Sequence, residues 1–126
     1  MATKPTIIVI DDDAAMRHSL QWLISSSGYD VHSYESAKSY LDDAMWDGRP
    51  DCVISDIHMS EMTGVELHGI LKKRYPNVPV IFISGQHDLS VDQARSLGSA
   101  GFFSKPLDTD AFLTSIHKAV ASYIPE

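Results

Sequence analysis

The chain has 126 residues, 44% hydrophobic and 21% charged, a balance that places it among ordinary folded domains and excludes a disordered segment. Its formal net charge of −7 argues against direct nucleic-acid binding, which needs a basic face to neutralise phosphates. No apolar run reaches the length of a membrane span, nothing has the form of a signal peptide, and the single cysteine, Cys52, rules out an internal disulfide, so a cytoplasmic location is expected.

At this length one domain over 1–126 is expected, burying about two-thirds of its unfolded surface without metal or disulfide staples, with no output domain in the chain. Strand-like and helix-like segments alternate along it. Ile7-Ile8-Val9-Ile10 is a continuous apolar run, as in a parallel strand buried on both faces, and predicts β1 over 7–10. Met16, Leu20, Leu23, Ile24 and Ser27 recur at helical spacing and predict α1 over 14–27, with Asp13 as N-cap and Gly28 as stop. A short, more polar β2 follows over 31–34. Ser36 caps a weak α2 over 37–44, which ends before Gly48 and Pro50.

Cys52-Val53-Ile54-Ser55 predicts β3 over 52–55, and Val65, Leu67, Ile70 and Leu71 mark α3 over 65–75, stopped by Pro76. Residues 80–84 read as β4, and 89–97 as a poorly amphipathic α4. Phe102-Phe103-Ser104 gives a short β5 over 102–104, and Phe112, Ile116, Ala119, Val120 and Tyr123 form the apolar stripe of α5 over 112–123. Five such βα units make a doubly wound α/β sheet the natural architecture.

Charged residues stand where these strands end. Asp11-Asp12-Asp13 follow β1, Asp56 follows β3 and Lys105 follows β5. In an open α/β sheet the carboxyl ends of the strands form one rim where ligands bind, so these residues converge as a carboxylate cluster with one fixed cation. Such a cluster suits a hard divalent ion, Mg²⁺ above all. Each residue has a plainer competing role, which is preferred for Asp13, a helix cap, but not for Asp56, a cap on the turn from Met59 to Gly64, or Lys105, a surface lysine, while a core role for Phe102 is compatible with a switch. Three consecutive aspartates cannot all be caps, which favours a site for Asp11 and Asp12. The six histidines are scattered without close ligand pairs, which argues against zinc.

From Ile8-Val9-Ile10-Asp11-Asp12-Asp13 to Ser104-Lys105-Pro106-Leu107, nearly its whole length, the chain resembles the receiver domain of two-component response regulators. Met16-Arg17-His18-Ser19-Leu20 with Gly64-Val65-Glu66-Leu67 is most similar to receivers of nitrogen-fixation and LuxR-like transcription factors. The resemblance implies a flavodoxin-like (βα)5 sandwich with a five-stranded parallel sheet in order 2-1-3-4-5. It implies that Asp56 accepts a phosphoryl group from a sensor histidine kinase or a histidine phosphotransfer protein. Asp11 and Asp12 correspond to the acidic pair, Ser84 to the switch hydroxyl, Lys105 to the site lysine and Phe102 to the switch aromatic. Mg²⁺ would be held by Asp12, Asp56 and the backbone carbonyl of His58, with Asp11 holding a water on the ion. Such a domain is no general enzyme, since it catalyses only its own phosphorylation and dephosphorylation. Its output is a changed α4–β5–α5 face, through which a homodimer is implied, with no nucleic-acid or membrane contact of its own.

The implied chemistry is physically coherent. A carboxylate that attacks a multiply charged phosphoryl group needs a cation between them. Lysine is a compact point charge able to pair with Asp56 at rest and with phosphate oxygens afterwards. A phosphoryl group brings about −2 charge and strong acceptor oxygens, to which Ser84 can donate, drawing its loop inward and leaving space for Phe102 to turn.

The pattern also departs from the family. Ser60 stands where a proline is common, which loosens the loop that follows Asp56. Ser84 replaces the commoner threonine, and the stretch from Ser84 to Lys105 is one residue short, with the deletion expected in Gly85-Gln86-His87-Asp88. A flavin mononucleotide carrier would share the fold, but Asp11-Asp12-Asp13 would repel its phosphate. An aspartyl-phosphate phosphohydrolase needs a close carboxylate pair on the first strand and a cap. The alternative closest to the resemblance is a catalytically silent receiver-like interaction module, against which the intact acidic pair, acceptor and lysine argue.

Overall fold

Five parallel strands form one sheet in the order β2-β1-β3-β4-β5. In the computed structural model, which describes residues 4–43, 49–59, 61–85, 100–105 and 107–123, these are β1 (Thr6–Ile10), β2 (Asp30–Tyr34), β3 (Cys52–Asp56), β4 (Val80–Ser84) and β5 (Gly101–Ser104). The helices among the described residues are α1 (Ala14–Ser26), α2 (Ala37–Leu41), α3 (Gly64–Arg74) and α5 (Thr109–Ser122). The helix expected over 89–97, Ser60 and most of the segment where the deletion was expected lie outside the described residues.

The apolar runs explain why the sheet is buried on both faces. Side chains alternate across a strand, so Ile8 and Ile10 of β1 join Val53, Phe82, Leu67 and Leu71 in one core, under α2 and α3. Ile7 and Val9 join Ile54, Ile81, Ile83, Leu20, Ile24, Phe112 and Ile116 in the other, under α1 and α5. Each such side chain contributes about 1.5–3 kcal/mol on burial. Cys52 belongs to the second core as a free thiol, and burial pushes its pKa up to about 12. No helix among the described residues is long and apolar enough to cross a membrane.

The caps anticipated at Asp13 and Ser36 are present: Asp13 Oδ1 accepts from the N–H groups of Ala15 and Met16, and Ser36 Oγ from that of Ser39. Gly28, at φ +101°, follows the Ser27 C-cap of α1, a left-handed conformation suited to glycine.

Several boundaries differ from expectation. β2 starts at Asp30, because its N–H bonds to Pro5 O ahead of the ladder. β3 extends by one residue, since Asp56 still pairs with Ile83 across the sheet. α3 begins at Gly64, where Thr63 and Glu66 exchange side-chain and backbone bonds at 3.1 Å in a capping box. α2 closes at Leu41, with Asp42 as its C-cap, and Tyr123 is the extended C-cap of α5 rather than part of it.

Candidate functional site

β1 and β3 are neighbours in the sheet, and the chain leaves β1 towards β2 on one side and β3 towards β4 on the other. That reversal opens a crevice at the carboxyl ends of β1 and β3, where the two acidic stations meet.

Asp11 is fully buried. Its N–H donates to Tyr34 O at 3.2 Å, which ties it to the end of β2, and its Oδ1 accepts from Asp13 N–H at 2.9 Å. Asp13 points to the α1 N-terminus and is a cap, as its sequence position suggested. Asp56, 5% exposed, accepts His58 N–H on Oδ1 at 3.0 Å and the Lys105 ammonium on Oδ2 at 2.8 Å. The same Lys105 Nζ is 3.2 Å from Asp11 Oδ2. Lys105 is placed by its backbone N–H, which donates to Ser84 O at 2.8 Å.

Asp12 completes the cluster from the solvent side, with carboxylate oxygens of Asp11, Asp12 and Asp56 all within 4.8 Å of one another. Three carboxylates against one ammonium leave an excess of negative charge. Burial is the main force that raises the Asp11 pKa; the Asp13 N–H opposes it, the Asp56 charge adds to it, and Lys105 works against it. For Lys105, burial acts to lower the pKa, yet the hydrogen bond and charge of Asp56, followed by those of Asp11, leave it raised. Oxygen donors alone, one of them open to solvent, and uncompensated charge fit a hard divalent cation such as Mg²⁺.

Ser84 ends β4, is buried, and sits beside this cluster with its Oγ 3.2 Å from His58 Nδ1. The His58 ring therefore turns in towards the rim. Phe102 lies further off, half-buried on β5 opposite Phe82, packed against the core under α2 and α3.

Asp11, Asp12, Asp56 and Lys105 are thus brought together, with Ser84 and His58 adjoining and Phe102 apart. Three contributors are not evident from the motifs. Arg17 Nη1 donates to Asp11 O at 2.8 Å, and its spacing of four from the Asp13 cap is the available signal. Gly64 N–H donates to Ile57 O at 2.9 Å, and a Cβ at Gly64 would lie 2.5 Å from Asp56 O, so only glycine lets α3 start against the end of β3. Ser55 Oγ donates to Asp56 O at 3.0 Å.

A parallel sheet with helices on both faces and an acidic, lysine-bridged crevice at its switch point defines a doubly wound α/β protein whose acidic cluster fits a divalent cation. Residues 7–117 match the response regulator receiver domain, and the chain belongs to that family of two-component signalling domains. It is similar to the transcriptional regulatory protein FixJ of Bradyrhizobium diazoefficiens, 36% identical over 126 residues, which cover 99% of this chain and 61% of FixJ. It is also similar to TdiR of Thauera aromatica, 36% identical over 92% of this chain and 51% of that protein. Among solved structures, FixJ-N superposes with a TM-score of 0.85 at 28% identity over 99% of this chain and 100% of that one. Full-length FixJ from B. japonicum gives 0.83 at 35% identity over 95% of this chain and 59% of that one. The chain thus spans about half to three-fifths of FixJ and TdiR.

Proposed function

We propose that Asp56 is the phosphoacceptor of this receiver domain, charged by a sensor histidine kinase or a histidine phosphotransfer protein in the cytoplasm. The observation that carries this reading is the Lys105 ammonium bridging Asp56 and Asp11, with Asp12 completing the cluster. In the transfer an Asp56 carboxylate oxygen attacks phosphorus, the phosphorus–nitrogen bond of the donor phosphohistidine breaks, and the imidazole leaves with that electron pair. The product is an acyl phosphate, which water later cleaves to inorganic phosphate and the free carboxylate.

Asp12 and Asp56, with the backbone carbonyl of His58 and support from Asp11, would hold Mg²⁺, which supplies charge neutralisation and alignment of the phosphoryl oxygens. Lys105 keeps the acceptor carboxylate oriented at rest and is in place to receive phosphoryl oxygens. Ser84 donates its hydroxyl to one of those oxygens, and its movement is passed to Phe102 on the neighbouring strand. The output is a rearranged face around α4, β5 and α5, suited to pairing with a second copy.

Incubation with Mg²⁺ and acetyl phosphate should give an acid- and base-labile phosphoryl label in the wild-type chain and none in Asp56→Asn. Stoichiometric labelling of Asp56→Asn would overturn the assignment. An unlabelled wild type would leave the silent interaction module.

A further inference from the structure

Asp12 is the exposed member of the acidic cluster, and among the described residues nothing hydrogen-bonds or pairs with its carboxylate. Its backbone must therefore place it beside Asp11 and Asp56. The peptide that carries Asp12 presents the Asp11 carbonyl, which lies beyond the last pairs of β1, Ile10 with Tyr34 and Ile10 with Ser55, and accepts from no backbone N–H among the described residues. Its donor is the half-buried Arg17, whose Nη1 lies 2.8 Å away.

Arg17 is itself anchored. Its N–H donates to Asp13 O at 2.9 Å as the first helical bond of α1, while Asp13 N–H holds Asp11 Oδ1 and Asp13 Oδ1 caps the helix. The turn from Asp11 to Arg17 is thereby closed by a bond at each end, and a planar guanidinium holds the free peptide in one orientation.

We propose that Arg17 is a positioning residue for the acidic pair: by gripping the Asp11 carbonyl it fixes the peptide that carries Asp12 and presents the Asp12 carboxylate to a divalent cation. This rests on the cation reading of the cluster given above. The sign of the effect separates it from simple electrostatics. A guanidinium near a cation site repels the ion, so by charge alone its removal would tighten binding. By positioning, its removal weakens binding.

The test is calorimetric titration of the full chain with Mg²⁺ for wild type, Arg17→Ala, Arg17→Lys, Asp12→Ala and the double variant, with amide hydrogen exchange of the metal-free proteins to show an intact sheet. Arg17→Ala should bind Mg²⁺ about tenfold more weakly, the low end for groups that orient metal ligands. Arg17→Lys, which keeps the charge and a donor but carries it on a side chain shorter than the one whose Nη1 reaches Asp11 O, should fall between. In the Asp12→Ala background the loss of Arg17 should cost nothing further, because its effect runs through Asp12. Equal or tighter binding by Arg17→Ala, or an equal loss in both backgrounds, overturns the proposal. Should Arg17→Ala not fold, wild-type or tighter affinity in Arg17→Lys overturns it instead. Wild-type affinity in Asp12→Ala would overturn the cation reading itself.

Discussion

The Ser84 hydroxyl lies 3.2 Å from Nδ1 of His58, so the ends of β4 and β3 are already in contact through two side chains at the rim. With the proton of His58 on Nε2, Nδ1 accepts the one proton that Ser84 has to give. Ser84 must then release the ring before donating to a phosphoryl oxygen. A net hydrogen bond is worth about 1 kcal/mol, so His58→Ala should tighten binding of the phosphoryl mimic beryllofluoride about fivefold. Titration followed by the Ser84 and Lys105 amide resonances checks this, and weaker binding would assign the opposite tautomer.

Lys105 and Asp12 should act on metal-free stability with opposite signs. Loss of Lys105 strands the buried Asp11 and Asp56 carboxylates. The cost should be about 2 kcal/mol, less than for a fully buried pair because the lysine side chain keeps 22% of its exposure. Asp12→Ala removes an exposed like charge and should stabilise the metal-free fold by about 0.5 kcal/mol. Urea unfolding in chelator compares the two variants, and repeating it with Mg²⁺ should show a smaller gain on adding the ion in Asp12→Ala than in wild type.

His68 gives the chain a pH dependence unrelated to the acidic crevice. It is 96% buried on α3 against the Phe82 ring, and among the described residues its Nε2 has no hydrogen-bond partner. Burial, and then the Lys72 charge, hold its pKa below the ordinary 6.5. As pH falls through 6.5 the unfolded chain takes up a proton that the folded chain still refuses, so stability drops until the lower folded pKa is passed. His68→Leu should remove this loss, up to about 1.4 kcal/mol per pH unit. At pH 8, where both forms are neutral, it should still add about 1 kcal/mol by removing the unmet nitrogen. Urea midpoints of both proteins between pH 8 and 5 decide it, and parallel curves would reject the role of His68.

Glu61 sits at φ +65° in the loop between Asp56 and α3, the left-handed region that costs a side-chain-bearing residue about 1 kcal/mol. Glu61→Gly should recover about 0.5 kcal/mol after the added freedom of the unfolded chain is counted. Glu61→Ala, which keeps the strain, is the control, and equal unfolding midpoints for the two would show that the conformation is not strained.

The strands, the Asp13 and Ser36 caps and the acidic and lysine stations were legible in the sequence because each is a local property. An apolar run of four or five residues reports burial on both faces, and a polar residue ahead of a helical stripe reports a cap, whatever lies elsewhere. Even the convergence of Asp11, Asp56 and Lys105 follows from strand ends, since parallel strands must deliver their carboxyl ends to one edge. The start of α3 was misplaced by one residue because the stripe is carried by Val65, Leu67, Ile70 and Leu71, whereas its boundary is decided by the Thr63–Glu66 capping box.

What needed the tertiary structure is of another kind. His58 and Ser84 are 26 residues apart, and Lys105 and Asp11 are 94 apart, so their contacts depend on sheet order and register. Gly64 is required because α3 starts within 2.5 Å, measured to a hypothetical Cβ, of the Asp56 carbonyl. The inward turn of the His58 ring, the grip of Arg17 on the Asp11 carbonyl and the exposure of Asp12 beside a buried Asp11 likewise leave no periodic trace. Hydrophobic periodicity records which face of an element is buried, a one-dimensional property; the partner met there is set by the packing of strands and helices around the crevice.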